Sequence, residues 1–122
     1  MTQRLLSAAL LNMLLLSSGC AQLSSAPWAE INGKRFSIQI ADNDETRARG
    51  LMFVRELPTD SGMLFVHDRQ EPVAYWMKNT YIPLDMVFIK ADGIVHRIEV
   101  RTEPMSERVI AAGADCSAVL EL

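Results

Sequence analysis

Turn signals divide the sequence after residue 27 into short apolar runs, and this division favours a mostly β fold. The clearest signal is Asn32–Gly33, since both residues tolerate the positive φ angles of a type I′ hairpin turn. A bend at Thr80–Pro83 and a turn at Asp92–Gly93 separate later runs. About six or seven of these runs are predicted to be strands. We therefore expect a mostly β (α+β) domain: a small curled antiparallel sheet, a barrel or a jelly-roll-like sandwich, with one short helix packed on it.

Alternation and polarity locate the strands and the loops between them. Phe36, Ile38 and Ile40 share one face of an alternating run, which predicts a half-buried strand. The polar segment 68–72 is predicted to be a loop. The polar segment 101–115 leads to a last apolar run with the sequence "SAVLEL".

The single helix is predicted near residues 44–50, in the stretch "ADNDETRARG". Asp42 or Asn43 can cap its N-terminus, and acidic residues occupy the first turn, where the helix dipole favours them. Gly50 supplies the signal for its C-terminal end.

The first 20 residues, "MTQRLLSAALLNMLLLSSGC", have the pattern of a signal peptide: one basic residue, an apolar run and small residues before Cys20. The apolar run is shorter than the ~20 residues that a membrane-spanning helix needs. The stretch "LLSSGC" resembles the lipobox of bacterial lipoproteins, with Ser17 where leucine is usual. The resemblance implies lipidation at Cys20, after which residues 21–27 would be a tether and residues 28–122 a single domain. The alternative is an ordinary signal peptide cleaved after Ala21.

The lipid would be the membrane anchor, because several acyl chains on one cysteine bind a bilayer stably. We expect an exported protein in the outer membrane, facing the periplasm, if the host has two membranes. Ala21 is not the aspartate that typically retains lipoproteins in the inner membrane. The alternative signal peptide predicts a soluble periplasmic or secreted protein.

Charge and residue usage disfavour several other functions. The formal net charge is -3, which offers no basic patch for nucleic acid. His67 and His96 are 29 residues apart and form no close ligand pair, so we expect no metal. Phosphate-loop and dinucleotide motifs are absent, and we expect no cofactor. With Cys20 lipidated, Cys116 has no intramolecular partner and is expected to be a buried apolar residue.

Three motifs carry a family resemblance: "RGLMFVRELPTDSGMLFV", "YWMKNTYIPLDMVFI" and "VLEL". From Trp28 to Leu122 the chain resembles the family called domain of unknown function 192. The resemblance implies a small, mostly β domain with jelly-roll-like character and a secretory or lipoprotein signal, but no agreed reaction or ligand. Members normally continue beyond the "VLEL" strand with a glycine turn, a short helix and a final strand. The resemblance therefore implies either that the domain is truncated at its C-terminus or that this member lacks one edge of the sheet.

Polar residues inside apolar motifs are the candidates for a site. Lys78, Asn79 and Asp85 lie within "YWMKNTYIPLDMVFI", where a buried charge is costly unless it is paired. One hypothesis is structural: Asp85 enters the interior beside a cation, and the polar groups hold the bend to the sheet. The other is a pocket with aromatic walls that orients a small polar ligand. The candidate ligand-binding residues are Arg47, Asp60, Trp76, Lys78, Asn79, Tyr81 and Asp85.

The sequence thus favours a lipid-anchored envelope domain that acts as a binding or accessory module, with a small polar ligand or an envelope protein as its partner. An envelope hydrolase that uses the carboxylates of Asp85 and Asp60 is the alternative. Two carboxylates define no reaction until their separation is known.

Overall fold

A hairpin at Asn32–Gly33 starts the sheet, with φ angles of 50° and 80° at its two turn residues. Positive φ at both positions is the signature of a type I′ turn, and the predicted hairpin is confirmed. The computed structural model describes residues 25–122. Its elements are β1 (Trp28–Ile31), β2 (Lys34–Ala41), α1 (Asp44–Arg49), β3 (Ser61–Tyr75), β4 (Met86–Ile89), β5 (Val95–Glu99) and β6 (Ile110–Glu121).

Cys20, the predicted signal peptide and most of the predicted tether lie outside the described residues. Within residues 25–122, no helix has the length and apolar character needed to cross a membrane.

The six strands form one mixed sheet in the order β1-β2-β3-β6-β4-β5. Adjacent strands are antiparallel except for β2 and β3, which are parallel, so the sheet is mixed where we expected an antiparallel one. The reason is α1 with the loop after it: together they return the chain to the starting end of β2 before β3 begins. The sheet curls into a half-barrel with one short helix, which confirms the mostly β prediction.

Strands β3 and β6 extend beyond the apolar runs that predicted them. The segment 68–72, expected as a loop, is part of β3. The register of β3 against β6 shifts between Val66 and Glu71. Likewise β6 begins at Ile110, inside the polar segment 101–115. Glu71 and Pro72 pair with Cys116 and Asp115, and Tyr75 pairs with Ile110. Backbone pairing thus carries both strands into these polar stretches, so side-chain polarity alone misplaced the boundaries.

The central strands bury both of their faces. Val87 and Leu120 pack in a smaller cluster with Phe36 and Ile38, whereas their chain neighbours belong to a larger cluster on the opposite face. Ile40, predicted to share the face of Phe36, is instead exposed. The larger cluster includes Phe65, Met77, Leu84, Phe88, Cys116 and Val119, so Cys116 is a buried free thiol as expected.

Buried hydrogen bonds fix the bend between β3 and β4. The Thr102 hydroxyl donates to the Leu84 carbonyl at 2.9 Å and accepts from the Leu84 amide at 3.2 Å. Asn79 adopts a left-handed conformation with φ of 55°, and its carbonyl accepts the Phe53 amide at 2.9 Å. Asparagine tolerates this backbone conformation better than most residues. The bend therefore leaves Lys78 and Trp76 on the side of the sheet that faces α1.

Gly62 lies so close to the end of β6 that no side chain fits there. A Cβ atom on Gly62 would overlap the carbonyl oxygen of Glu121 and lie 2.7 Å from Cδ2 of Leu122. Since the first of these atoms belongs to the backbone, it cannot move without disturbing the ladder between β3 and β6.

We expect Gly62→Ala to lower the free energy of unfolding by about 2 kcal/mol or more, because overpacking forces the paired backbones apart. Chemical denaturation compared with the parent checks this. Ser61→Ala on the neighbouring residue adds no atoms and is the control, with an expected change below about 0.5 kcal/mol. A Gly62→Ala variant as stable as the control would mean that the two strands do not approach this closely.

Candidate functional site

A cleft of about 350 Å³ lies between α1, β3, the end of β6 and the segment that follows β3. We call it the Glu121 cleft. Its polar and aromatic lining includes Arg47, Arg49, His67, Tyr75, Trp76, Lys78 and Glu121.

The position of α1 over the sheet depends on how the helix starts and ends. Asn43 accepts the Thr46 amide with its side chain, while Thr46 accepts the Asn43 amide, which is a reciprocal capping box. Gly50 ends the helix with φ of 49° and ψ of -132°, a conformation that favours glycine. A Cβ atom there would lie 2.9 Å from the Phe65 ring, so glycine also allows the helix end to approach β3.

Arg47 is held in place by β3 and by carboxylates at the rim. Its guanidinium donates to the Val66 carbonyl at 2.8 Å and to the Asp44 carboxylate at 2.9 Å. The carboxylate of Asp68 lies 3.6 Å away. The side chain is only 15% exposed. The contact with Val66 holds it in position, and the two carboxylates balance its charge.

Glu121 is the unusual group of the cleft. It ends β6, paired with Met63 on one side and Met86 on the other, and it is 4% exposed. Its carboxyl group forms no hydrogen bond or ion pair with residues 25–122. Because no fully buried side-chain oxygen or nitrogen of these residues lacks a partner, the carboxyl oxygens open into the cleft. Burial raises the pKa of this group to about 8. At neutral pH the carboxyl group is therefore mostly protonated, and it can both donate and accept a hydrogen bond.

His67 and Tyr75 form a second polar pair in the cleft. The His67 Nε2 atom and the Tyr75 hydroxyl oxygen are 2.7 Å apart, and the tautomer decides which one donates. Burial, then the charge of Arg47, lowers the pKa of His67, although Glu71 and Asp68 oppose the shift. Burial and the nearby Glu121 raise the pKa of the Tyr75 hydroxyl. Both groups are thus uncharged near neutral pH.

The rim of the cleft carries two cations and an aromatic surface. The Lys78 ammonium lies 5.0 Å from the centre of the Trp76 ring, a cation–π contact, and Trp76 is 45% exposed. Arg49 lies in the last turn of α1. In the described part of the chain, neither Lys78 nor Arg49 forms an ion pair. The cleft therefore combines a cationic rim with an uncharged polar floor.

Three of the candidate residues lie together in this cleft: Arg47, Trp76 and Lys78. Asn79 does not line the cleft, but its side-chain nitrogen lies 4.0 Å from the sulfur of Met52, which does.

The other candidates lie elsewhere. Asp60 forms an exposed ion pair with Lys34 at 3.4 Å. Tyr81 packs edge-on against Phe53, with ring centres 6.1 Å apart. Asp85 is half-buried, and its carboxylate accepts the Arg101 amide at 2.8 Å. The prediction that a cation pairs with Asp85 is wrong: the partner of this carboxylate is a backbone amide, not a guanidinium or an ammonium group.

Sequence reasoning missed Glu121, His67 and Tyr75, although two signals pointed to them. Glu121 is an acidic residue inside the apolar run "SAVLEL", and acidic residues are rarely buried unless paired. His67 follows Phe65 by two residues in a strand, which places it on the same face of the sheet.

The rest of the described surface offers no comparable site. A larger depression of about 530 Å³ is lined by Leu57, Ile82 and Leu122, with Glu56 at its edge, and it holds no comparable group of titratable side chains. Over residues 25–122, no three His, Cys, Asp or Glu residues are close enough to hold a metal ion.

Replacing Glu121 with Gln should change how stability depends on pH. Because the folded pKa of about 8 exceeds the ordinary 4.5, folding takes up a proton between these values. The stability that the protonated group contributes is complete below about pH 4.5 and is lost as pH rises through 8. Glu121→Gln lacks this dependence. Relative to the parent, its free energy of unfolding should therefore rise by on the order of 1 kcal/mol for each pH unit between 4.5 and about 8.

Urea denaturation of both proteins at several pH values measures this difference. The titration of His67 has the opposite sign but occurs in both proteins, so the difference largely removes it. Glu56→Gln, an exposed change outside the cleft, is the matched control. A constant difference between Glu121→Gln and the parent across the window would show that Glu121 titrates like an exposed carboxylate.

Comparisons with known proteins agree with this fold. A crystal structure from Sinorhizobium meliloti 1021, of a proposed transcription regulator, is 41% identical with a TM-score of 0.71, over 72% of this chain and 68% of that one. A protein of unknown function from Novosphingobium aromaticivorans DSM 12444 is 28% identical with a TM-score of 0.72, over 84% of each chain. No curated protein sequence matches the chain. The family model DUF192, described as an uncharacterised ACR, matches residues 28–122, and the chain therefore belongs to this family.

Proposed function

We propose that this protein is a binding module for a small ligand, with the Glu121 cleft as its site, and that a lipid at Cys20 holds it at an envelope membrane. The observation that carries the binding role is the Glu121 side chain, which is 4% exposed and whose carboxyl group opens into the cleft without a hydrogen bond to any described residue. Such a group is largely withdrawn from bulk water, which costs free energy, and a hydrogen bond from a ligand in the cleft would offset that cost.

The surroundings of Glu121 support the same role. Small-ligand sites are concave and largely apolar, with a few polar groups that converge on the ligand. Trp76 and Phe65 supply aromatic surface, while His67 and Tyr75 supply further hydrogen-bonding groups. The cleft volume of about 350 Å³ suits a molecule of roughly monosaccharide size.

The membrane anchor rests on the sequence of residues 1–20 and on the resemblance of "LLSSGC" to a lipobox. It fits a binding module because the ligand site then remains beside the membrane after export. The net charge of -3 gives no support to nucleic-acid binding, so the description of the Sinorhizobium relative is not carried over to this chain.

A hydrolase that uses Asp60 and Asp85 gains no support from the geometry. Asp60 is paired with Lys34 in an exposed turn, and Asp85 bonds the Arg101 amide. Neither residue lines the Glu121 cleft.

A thermal-shift screen of the purified protein against envelope saccharides, organic acids, amines and peptides tests the binding role. A ligand at about one hundred times its dissociation constant should stabilise the protein by about 2.7 kcal/mol. Trp76→Ala should weaken that stabilisation because it removes aromatic surface from the cleft. Glu56→Gln should leave it unchanged. Two outcomes would contradict the proposed site. One is a ligand that stabilises the Trp76→Ala and Glu121→Gln variants as much as the parent, and the other is a screen that finds no binder.

Cys20→Ser tests the anchor separately. We expect the variant to accumulate as the full-length precursor, because lipidation of the cysteine precedes cleavage of a lipoprotein signal. Metabolic labelling with a radioactive fatty acid should mark the parent and not the variant. Normal cleavage of the variant, with release of a soluble envelope protein, would favour an ordinary signal peptide instead.

A further inference from the structure

We infer that the Glu121 cleft takes a small hydroxylated organic acid, whose carboxylate lies beside Arg49 and Lys78 and whose hydroxyl groups reach the carboxyl group of Glu121. This inference rests on the proposed function and specifies the ligand class. It follows from the charges at the rim, the hydrogen-bonding groups of the floor and the aromatic surface between them.

The rim favours an anion. Arg47 is balanced by the carboxylates of Asp44 and Asp68, at 2.9 Å and 3.6 Å. Arg49 and Lys78 have no such counterpart among residues 25–122. A ligand carboxylate at this place would form charge-assisted hydrogen bonds, which are stronger than those between neutral groups.

The floor favours hydroxyl groups and disfavours a cation. With a pKa of about 8, the carboxyl group of Glu121 is mostly neutral at pH 7, and a neutral carboxyl group bonds a hydroxyl as both donor and acceptor. A ligand ammonium group would bond the neutral form less strongly than a carboxylate and would have to pass the cationic rim. The charged and titratable residues around Glu121 are Asp44, Arg47 and Arg49 from the helical segment, His67 and Tyr75 from β3, and Lys78 from the segment after β3.

The aromatic surface lies between these two polar zones. Trp76 is nearly half exposed and in contact with Lys78, so a carbon skeleton can pack on its ring while the carboxylate meets the ammonium group. A flat ring or a short hydroxylated chain meets this requirement within the available volume.

Three probes that share one ring and differ in charge test the ligand class: D-glucuronate, D-glucose and D-glucosamine. Their affinities for the full-length protein are measured at about pH 6.5 by NMR titration, together with the open-chain acids D-gluconate and lactate. We expect the acids to bind at least about tenfold more tightly than glucose, and glucosamine to bind most weakly. The shifted signals should include the Trp76 indole and the His67 ring.

Variants locate the two contacts. Lys78→Gln should bring the affinity for D-glucuronate close to that for D-glucose, and Lys78→Arg should restore most of the loss. Arg55→Gln is the matched control, since Arg55 is an exposed cation outside the cleft, near Tyr81. Between about pH 6.5 and pH 9, binding of D-glucuronate should weaken in the parent as Glu121 ionises, and Glu121→Gln should show little of this loss.

The outcomes separate the two proposals. Tighter binding of glucosamine or glucose than of the acids would overturn the organic-acid inference and leave the binding role standing. Binding of the acids that is unchanged in Lys78→Gln would also overturn it. If neither the acids nor their neutral and cationic counterparts bind, the inference fails, and a binder of another class from the thermal-shift screen would then preserve the proposed function alone.

Discussion

Pairing of β6 on both of its edges is the constraint on which the rest of the structure depends. Met63 of β3 and Met86 of β4 flank Glu121 on the two sides, so the end of β6 is enclosed by the sheet. Glu121, the last residue of this central strand, is 4% exposed and lines the cleft. The close approach of Gly62 to this strand end is a further consequence of the same pairing.

Enclosure determines the chemistry of the cleft. An ionised carboxylate without a partner is far more costly to bury than a protonated one, and Glu121 therefore holds its proton well above its usual range. His67 and Tyr75 are buried beside it as neutral groups. Stability alone would favour an apolar residue at position 121, and this is the physical basis of the binding role that we propose for the carboxyl group.

Local signals predicted the parts of the fold that local interactions determine. The positive φ angles at Asn32–Gly33 and the capping box at Asn43 depend on residues next to one another in the sequence. The parallel pairing of β2 with β3 and the strand character of segment 68–72 depend on long-range backbone pairing, which side-chain patterns do not encode. For the same reason, only some of the residues that line the cleft could be predicted from the sequence. Trp76 and Lys78 stood out as neighbours in one motif, whereas the importance of Glu121 depends on which strands enclose it.

Membership of the DUF192 family fixes no reaction or ligand, so the proposed site depends on one physical property of Glu121: in the folded protein its carboxyl group is protonated and forms no hydrogen bond with residues 25–122. Titration of this carboxyl carbon by ¹³C NMR, assigned through Glu121→Gln, measures it most directly. We expect a midpoint near 8 in the ligand-free protein, and a change in the chemical shift of this carbon when an organic acid binds. A midpoint near the ordinary glutamate value of 4.5 would contradict the protonated state on which the proposed site depends.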